Sequence, residues 1–274
     1  MRPKIIGARF VGVNHMTIER NEIIRKDAEA LQGLILVAKD VLGKTETRAL
    51  ERTLRYFAVS FANSSVAVAT LCNDGFGADA LKIARSMFET YVTFRYLLQR
   101  PKELNDFVAF DAIARYNRLQ LYKAKFPRMY AMFSAEKIKA VNDKYNSVKK
   151  NFAGREGKIR GRWCPYSLAE MARITGCAEM YDLFYRHASS LLHVDPMGLT
   201  MLIDGKTLEI QPGPTPRHIG VAIRMAALVF HDTLVRYSKL IGADHSEALK
   251  RIDELIGGEI EVEGSVLGSL AEAF

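Results

Sequence analysis

Apolar residues recur at every third or fourth position along most of the chain, the spacing of one buried face on an α-helix. This pattern predicts helices over residues 18–42, 46–73, 81–98, 102–125, 134–152, 167–175, 178–193, 217–241 and 246–256. Several predicted ends carry the residues that helix termini favour. Gly43 suits a C-terminal cap and Pro101 a first helical position, while Ser167 and Glu170 have the spacing of a capping box. Residues 75–78, between two predicted helices, are interpreted as a turn.

The spacing changes to alternation between residues 200 and 211, on either side of Asp204-Gly205. Asp-Gly suits a type I′ turn, so this stretch is predicted to be a small β-hairpin. The tail 257–274 holds four glutamates and no basic residue, and is predicted to be mobile. The predicted architecture is an all-α, multi-helix bundle with one β-hairpin inserted before the penultimate helix, in a single helical domain over residues 1–256.

Composition narrows the class of protein. With 49% hydrophobic and 26% charged residues among 274, wholesale disorder and fibrous repeats are excluded. No apolar run has transmembrane length and no signal peptide is evident, which predicts a cytoplasmic protein without a membrane partner. Cys72, Cys164 and Cys177 cannot all pair with one another and have no CxxC spacing. A reducing compartment is therefore expected, and neither a metal nor a cofactor is expected.

Positive charge is concentrated in one glycine-rich stretch. The chain has a formal net charge of +8, and residues 149–162 alone contribute +5. The cations there are Lys149, Lys150, Arg155, Lys158, Arg160 and Arg162, and Trp163, the only tryptophan, follows them. Two interpretations remain open. The stretch could bind nucleic acid through phosphate contacts and base stacking, or it could be a flexible surface loop that Trp163 anchors to the core.

The predicted helix 178–193 carries an unusual polar stripe. At about 100° per residue, Asp182, Arg186, Ser189, Ser190 and His193 fall on one side, with Asp182 placed to form an i,i+4 ion pair with Arg186. The other side is predicted to pack and carries Met180, Tyr181, Phe184, Ala188, Leu191 and Leu192. Arg186 and His193 are two turns apart, about 10 Å along the axis, and could meet over a shared ligand. A structural interpretation also stands, because serines permit close helix packing and a histidine near a helix end can cap carbonyls.

A second charged pair lies in the predicted helix 81–98. Arg85 and Glu89 are one turn apart on a helix that is apolar around most of its circumference. We therefore expect a partly buried ion pair, and the loss of Glu89 alone should cost several kcal/mol. The pair is either purely structural or faces helix 178–193 and supports the polar stripe.

Two motifs resemble those of an uncharacterised family of helical bacterial proteins. They are Tyr181-x3-Tyr185-Arg186-His187-x-Ser189-Ser190-x2-His193 and Ala80-Leu81-x3-Arg85-Ser-Met-Phe-Glu89. The resemblance extends from about residue 26 to residue 240. Arg186 to His193 is also similar to the Arg-x(4–6)-His signature of the HEPN superfamily, at the long end of its spacing.

HEPN proteins are helical bundles, often dimeric, and many are metal-independent ribonucleases of toxin–antitoxin or phage-defence systems. The resemblance implies Arg186 and His193 as catalytic residues, supported by Asp182, Ser189, Ser190, Arg85 and Glu89. RNA, a second copy of the chain, and an antitoxin or other partner protein are the implied partners. The alternative is a non-catalytic helical module that binds nucleic acid or protein.

Overall fold

A computed structural model of the chain describes residues 22–43, 48–154, 157–193, 214 and 217–256. Its main helices are α1 (Glu22–Leu42), α2 (Ala49–Asn73), α3 (Gly77–Gln99), α4 (Leu104–Lys125), α5 (Ala135–Val148), α6 (Leu168–Ile174), α7 (Arg186–His193), α8 (Ile219–Ile241) and α9 (Ser246–Ile256). Short helical turns occupy Pro101–Glu103, Pro127–Tyr130, Lys149–Phe152 and Ala178–Met180. The all-α prediction is confirmed for the described residues. The hairpin predicted at 200–211 and the tail 257–274 lie outside them.

The described residues divide into two compact units. Unit 1 comprises the chain up to Phe94 and from Thr175 onward, and unit 2 comprises Arg95–Ile174. The boundary falls inside α3, where the sequence shows no break in its apolar pattern. That the helices of residues 1–256 form one domain remains a prediction from the sequence.

In unit 1 the core is built around α8. This helix packs against α1 and α2, and α9 packs against α1 and α8. Most of the side chains of α8 are buried, and the ring of Phe230 stacks on Phe61 at 6.3 Å between ring centroids. One charged pair enters this core: Arg224 donates to Asp27 over 2.6 Å. Burial raises the pKa of Asp27, and the Arg224 charge opposes that rise.

The start of α3 lies against the start of α8. A Cβ atom at Gly77 would come within 2.0 Å of the Arg217 carbonyl oxygen and 2.7 Å of the Ile219 nitrogen. Only glycine permits this approach without a backbone shift. The predicted helix began at residue 81, with residues 75–78 interpreted as a turn, and that boundary was wrong by one helical turn.

Unit 2 is built on α4 and α5, which run antiparallel. Tyr116 stacks on Tyr145 at 3.7 Å between ring centroids, while Ala112 and Ile113 pack with Val148 and Phe152. Ser134 caps α5 by accepting a hydrogen bond from the Lys137 amide. The capping box that begins α6 is formed as predicted, since the Ser167 amide donates to Glu170 and the Glu170 amide donates to Ser167.

The two units differ strongly in charge. Residues 95–174 contain 18 basic and 7 acidic residues, a net charge of +11, so the rest of the chain nets −3. No helix among the described residues is long and apolar enough to cross a membrane. The three cysteines are buried and form no disulfide.

Candidate functional site

The helical segment 178–193 is not a continuous α-helix. A π-helical turn, Tyr181–Tyr185, separates the turn Ala178–Met180 from α7. A π turn shifts the angular register of every residue after it, and such turns are frequent at functional sites. The predicted wheel assumed α geometry throughout. Phe184, Ala188 and Leu191 are buried as predicted, but Leu192, which was expected to pack, is 39% exposed.

Four side chains of unit 1 join the segment 178–193 to α3, and we call them the Arg85 cluster. Arg85 donates from Nε to Ser189 Oγ over 2.8 Å and from Nη2 to Tyr185 Oη over 2.7 Å. The same Nη2 lies 3.0 Å from Glu89 Oε1. Tyr185 donates to that carboxylate over 2.8 Å, and Ser189 donates to the Tyr185 carbonyl over 2.7 Å. The predicted pair of Arg85 and Glu89 is therefore present, and it faces the segment 178–193.

The two charged side chains of the cluster differ in their exposure to solvent. The side chain of Arg85 is 11% exposed and that of Glu89 is 40% exposed. The guanidinium carbon of Arg85 also lies 4.5 Å from the centre of the Tyr185 ring, a cation–π contact. Burial raises the pKa of Tyr185, and its hydrogen bond to Glu89 raises it further. Tyr185 is therefore a neutral donor that orients the carboxylate, and Arg85 is held from several directions.

Arg186, by contrast, is open to solvent. Its side chain is 71% exposed, and Nη1 lies 3.7 Å from Oδ1 of Asp182, which is itself 56% exposed. This is the predicted i,i+4 pair, but an ion pair so exposed holds its members only weakly. Arg186 also begins the regular α-helical part of the segment. Positions 186 and 193 therefore lie on the same side of α7, about 10 Å apart along its axis.

The remaining residues of the predicted site have different surroundings. His193 ends α7, and its side chain lies outside what the structure describes. Ser190 is half-buried. Ser189 is also half-buried and accepts a hydrogen bond from Arg85, whereas Arg186 is exposed to solvent. Among the described residues, no three potential metal ligands come together.

The histidine that follows Arg186 meets another histidine. The ring centroids of His187 and His218 are 6.1 Å apart, and His218 adopts a φ of 65° at the start of α8. Burial lowers the pKa of His187, and burial with the nearby His187 and Arg217 charges lowers that of His218 to about 4. Both rings are therefore neutral near pH 7.

The basic stretch 149–163 is partly engaged in unit 2. The Trp163 ring packs edge-on against Phe107 at 5.2 Å and Tyr96 at 5.6 Å between centroids, as expected of an anchor. Arg160 lies 4.0 Å from Asp106, and Lys149 donates to Asn146 over 2.9 Å. The side chains of Lys150, Lys158 and Arg162 are exposed, and Arg155 lies outside the described residues.

Tyr185 and His218 are members of these clusters that the sequence did not single out as site residues. Tyr185 stood inside the quoted motif, but helix spacing offered no reason to connect it with α3. His218 is 31 positions from His187 in the chain, and only the packing of the start of α8 brings the two rings together.

The profile of a protein family described as "Family of unknown function (DUF5677)" matches residues 51–209, more than half of the chain. The chain belongs to this family. The expected membership of an uncharacterised family is thus confirmed, although the match is shorter than the resemblance inferred from the motifs. No curated protein and no solved structure matches the chain.

The DUF5677 match includes the Arg85 cluster, Arg186 and all of unit 2. It excludes α1, α8 and α9, the helices that form much of the unit 1 core. The family description attaches no activity to these residues, so the case for one depends on their geometry and chemistry.

Proposed function

We propose that this DUF5677 protein is a HEPN-like, metal-independent endoribonuclease with Arg186 and His193 as its catalytic pair. The observation that carries the proposal is the contrast between two arginines. Arg85 is tied to three side chains, whereas Arg186 is exposed, weakly paired, and two regular α-helical turns before a histidine. An accessible guanidinium of this kind can bind a phosphate through two parallel hydrogen bonds.

The reaction is the attack of a ribose 2′-oxygen on the adjacent phosphorus. A base removes the 2′-hydroxyl proton, the new P–O bond forms, and the bond from phosphorus to the 5′-oxygen breaks as that oxygen takes up a proton. The products are a 2′,3′-cyclic phosphate and a 5′-hydroxyl. His193 is suited to either proton transfer because the ordinary pKa of histidine lies near neutrality. Arg186 would stabilise the extra negative charge on the phosphorane.

One histidine supplies only one of the two proton transfers at a time. A homodimer that brings together two copies of α7 would supply both, so we propose a dimer as the active form. Asp182 would orient Arg186, and the Arg85 cluster would position the start of α7. Ser190 would line the approach to the phosphate. An RNA substrate and unoxidised cysteines both fit a cytoplasmic location.

The second candidate is the non-catalytic module that binds nucleic acid or a partner protein. The net charge of +11 over residues 95–174 favours it, because such a charge binds a polyanion whether or not the chain cleaves it. The two candidates differ in turnover. They also differ in cellular effect, since a ribonuclease of toxin or phage-defence type should slow growth unless an antitoxin restrains it.

The test compares cleavage of tRNA and mRNA by the wild type, Arg186→Ala and His193→Ala, with EDTA present to silence metal-dependent nucleases. Arg251→Ala is the matched control, because Arg251 is 74% exposed and forms an i,i+4 pair with Glu247 on α9. We expect cyclic-phosphate products from the wild type and the control, and a loss of at least a hundredfold (about 3 kcal/mol) in both site variants. Equal cleavage by all four proteins, or by none, would refute the ribonuclease.

A further inference from the structure

The hairpin formed by α4 and α5 carries unbalanced positive charge. Between Asp111 and Glu136 the chain has no acidic residue. It has five cations there: Arg115, Arg118, Lys123, Lys125 and Arg128. Lys123, Lys125 and Arg128 are exposed and form no ion pair with a described residue. Their charge is therefore available to a partner.

The tip of this hairpin, residues 121–133, also exposes large apolar side chains. Met132 is 83% exposed, and about half of the surface of Leu121, Phe126 and Met129 is open. Tyr122 underlies part of the tip, with its ring 6.4 Å from Phe126 and 6.0 Å from Phe133 between centroids. Aromatic rings at a basic surface that face solvent provide platforms for stacking.

Three of the five cations, Lys123, Lys125 and Arg128, lie in the tip, and further positive charge lies towards the base of the hairpin. The 22 residues of α4 span about 33 Å. Lys123 and Lys125 lie at its last turn, while Arg160 reaches Asp106 in its first turn. The exposed side chains of Lys158 and Arg162 flank Arg160 in the chain. A flat membrane would contact the tip alone, whereas an extended polyanion can contact cations both at the tip and towards the base.

We propose that the α4–α5 hairpin is a docking surface for single-stranded RNA. Lys123, Lys125 and Arg128 bind phosphates, and Phe126 stacks on a base. This surface belongs to unit 2, whereas Arg186 belongs to unit 1. The inference rests on the proposed function only for the choice of RNA as the polyanion, and binding can be measured without cleavage.

The probe is a fluorescent 2′-O-methyl RNA of about 12 nucleotides. It cannot be cleaved by attack of a 2′-hydroxyl, so binding stays distinguishable from the proposed activity. Its affinity for the full chain is measured by fluorescence anisotropy over a range of salt concentrations. One variant combines Lys123→Glu, Lys125→Glu and Arg128→Glu. The matched control combines Lys39→Glu, Lys239→Glu and Lys250→Glu, three exposed lysines of unit 1 that give the same change in net charge.

We expect the hairpin variant to weaken binding at least tenfold and the control to change it less than threefold. The plot of log affinity against log salt concentration should be less steep for the hairpin variant. Its slope should decrease in magnitude by about 2, since each of the three lost phosphate contacts contributes about 0.7. Phe126→Ala should weaken binding of the RNA about fivefold or more but leave an abasic oligonucleotide of equal length unaffected.

Three results would overturn the inference. The wild type could fail to bind the RNA, both triple variants could weaken binding equally, or Phe126→Ala could leave RNA binding unchanged. Vesicles of phosphatidylserine and phosphatidylcholine provide a further arm. If the tip residues are needed for vesicle binding but not for RNA binding, the surface is a membrane contact and the inference is wrong. RNA binding without cleavage of natural RNA would refute the ribonuclease alone.

Discussion

The Arg85 cluster gives a quantitative prediction for Glu89→Ala. This change removes the carboxylate that lies 3.0 Å from Arg85 Nη2 and accepts the 2.8 Å hydrogen bond from Tyr185. Leaving a fully buried arginine unpaired costs about 3–5 kcal/mol, and losing an exposed pair costs about 0.2–1 kcal/mol. Here Arg85 is 11% exposed and Glu89 is 40% exposed, so the pair falls between these limits.

Arg85 also retains Ser189 and Tyr185 as neutral acceptors in Glu89→Ala. We therefore expect a loss of about 2 kcal/mol in the free energy of unfolding, less than the several kcal/mol that the sequence suggested. A loss of this size corresponds to a fall of about 4–8 °C in melting temperature.

The assay is thermal and urea unfolding followed by far-UV circular dichroism, which follows the loss of helix throughout the chain. Glu254→Ala, an exposed glutamate on α9, is the control and should change stability by less than about 0.5 kcal/mol. If Glu89→Ala also lost less than about 0.5 kcal/mol, the ion pair with Glu89 would contribute nothing measurable to stability. A loss above about 4 kcal/mol would show that the pair is not hydrated.

Three further predictions concern backbone packing, pH and the anchor of unit 2. Gly77→Ala should lower the free energy of unfolding by about 3 kcal/mol in urea unfolding, because the new Cβ would lie 2.0 Å from the Arg217 carbonyl oxygen. Gly161→Ala is the control and should leave stability unchanged, because no atom lies within 4 Å of the position of its Cβ. The pKa of His218 lies at about 4, below its ordinary 6.5, so the unfolded chain binds more protons between these values and stability should fall as pH falls through that window. His218→Asn, which tolerates positive φ, should flatten this dependence when urea midpoints are compared at pH about 7 and about 5, and an unchanged slope would contradict it. Trp163→Ala should cost about 2 kcal/mol, because its half-buried ring fills the space between two aromatic rings, and a melting curve like that of the wild type would show that the ring is not an anchor.

The sequence located most helices because each carries its own apolar period and its own caps. The boundaries of α9 were predicted to the residue, and α2 and α4 were close. The start of α3 was missed because Gly77 was taken as part of a turn. Gly77 lies against the backbone of Arg217, 140 positions away in the chain, and no local pattern encodes that contact.

The candidate site was predictable in part for the same reason. Helix spacing brought Arg85 to Glu89 and placed Arg186 two turns before His193, since both relations are local. It could not show that Tyr185 completes the Arg85 cluster, because that contact joins two elements far apart in sequence. Nor could it show the π turn at Tyr181–Tyr185, because a helical wheel assumes α geometry throughout the segment.

Local sequence thus determined the helical class of this protein, the ends of most helices and the types of residue available for chemistry, because these depend on neighbours within a few positions. Tertiary structure decided which charged side chains are paired inside the protein and which are exposed to a partner. It tied Arg85 into unit 1, left Arg186 in solvent, and drew the boundary within which a net charge of +11 is concentrated. Burial and long-range contacts determine these outcomes, and both exist only once the helices have packed.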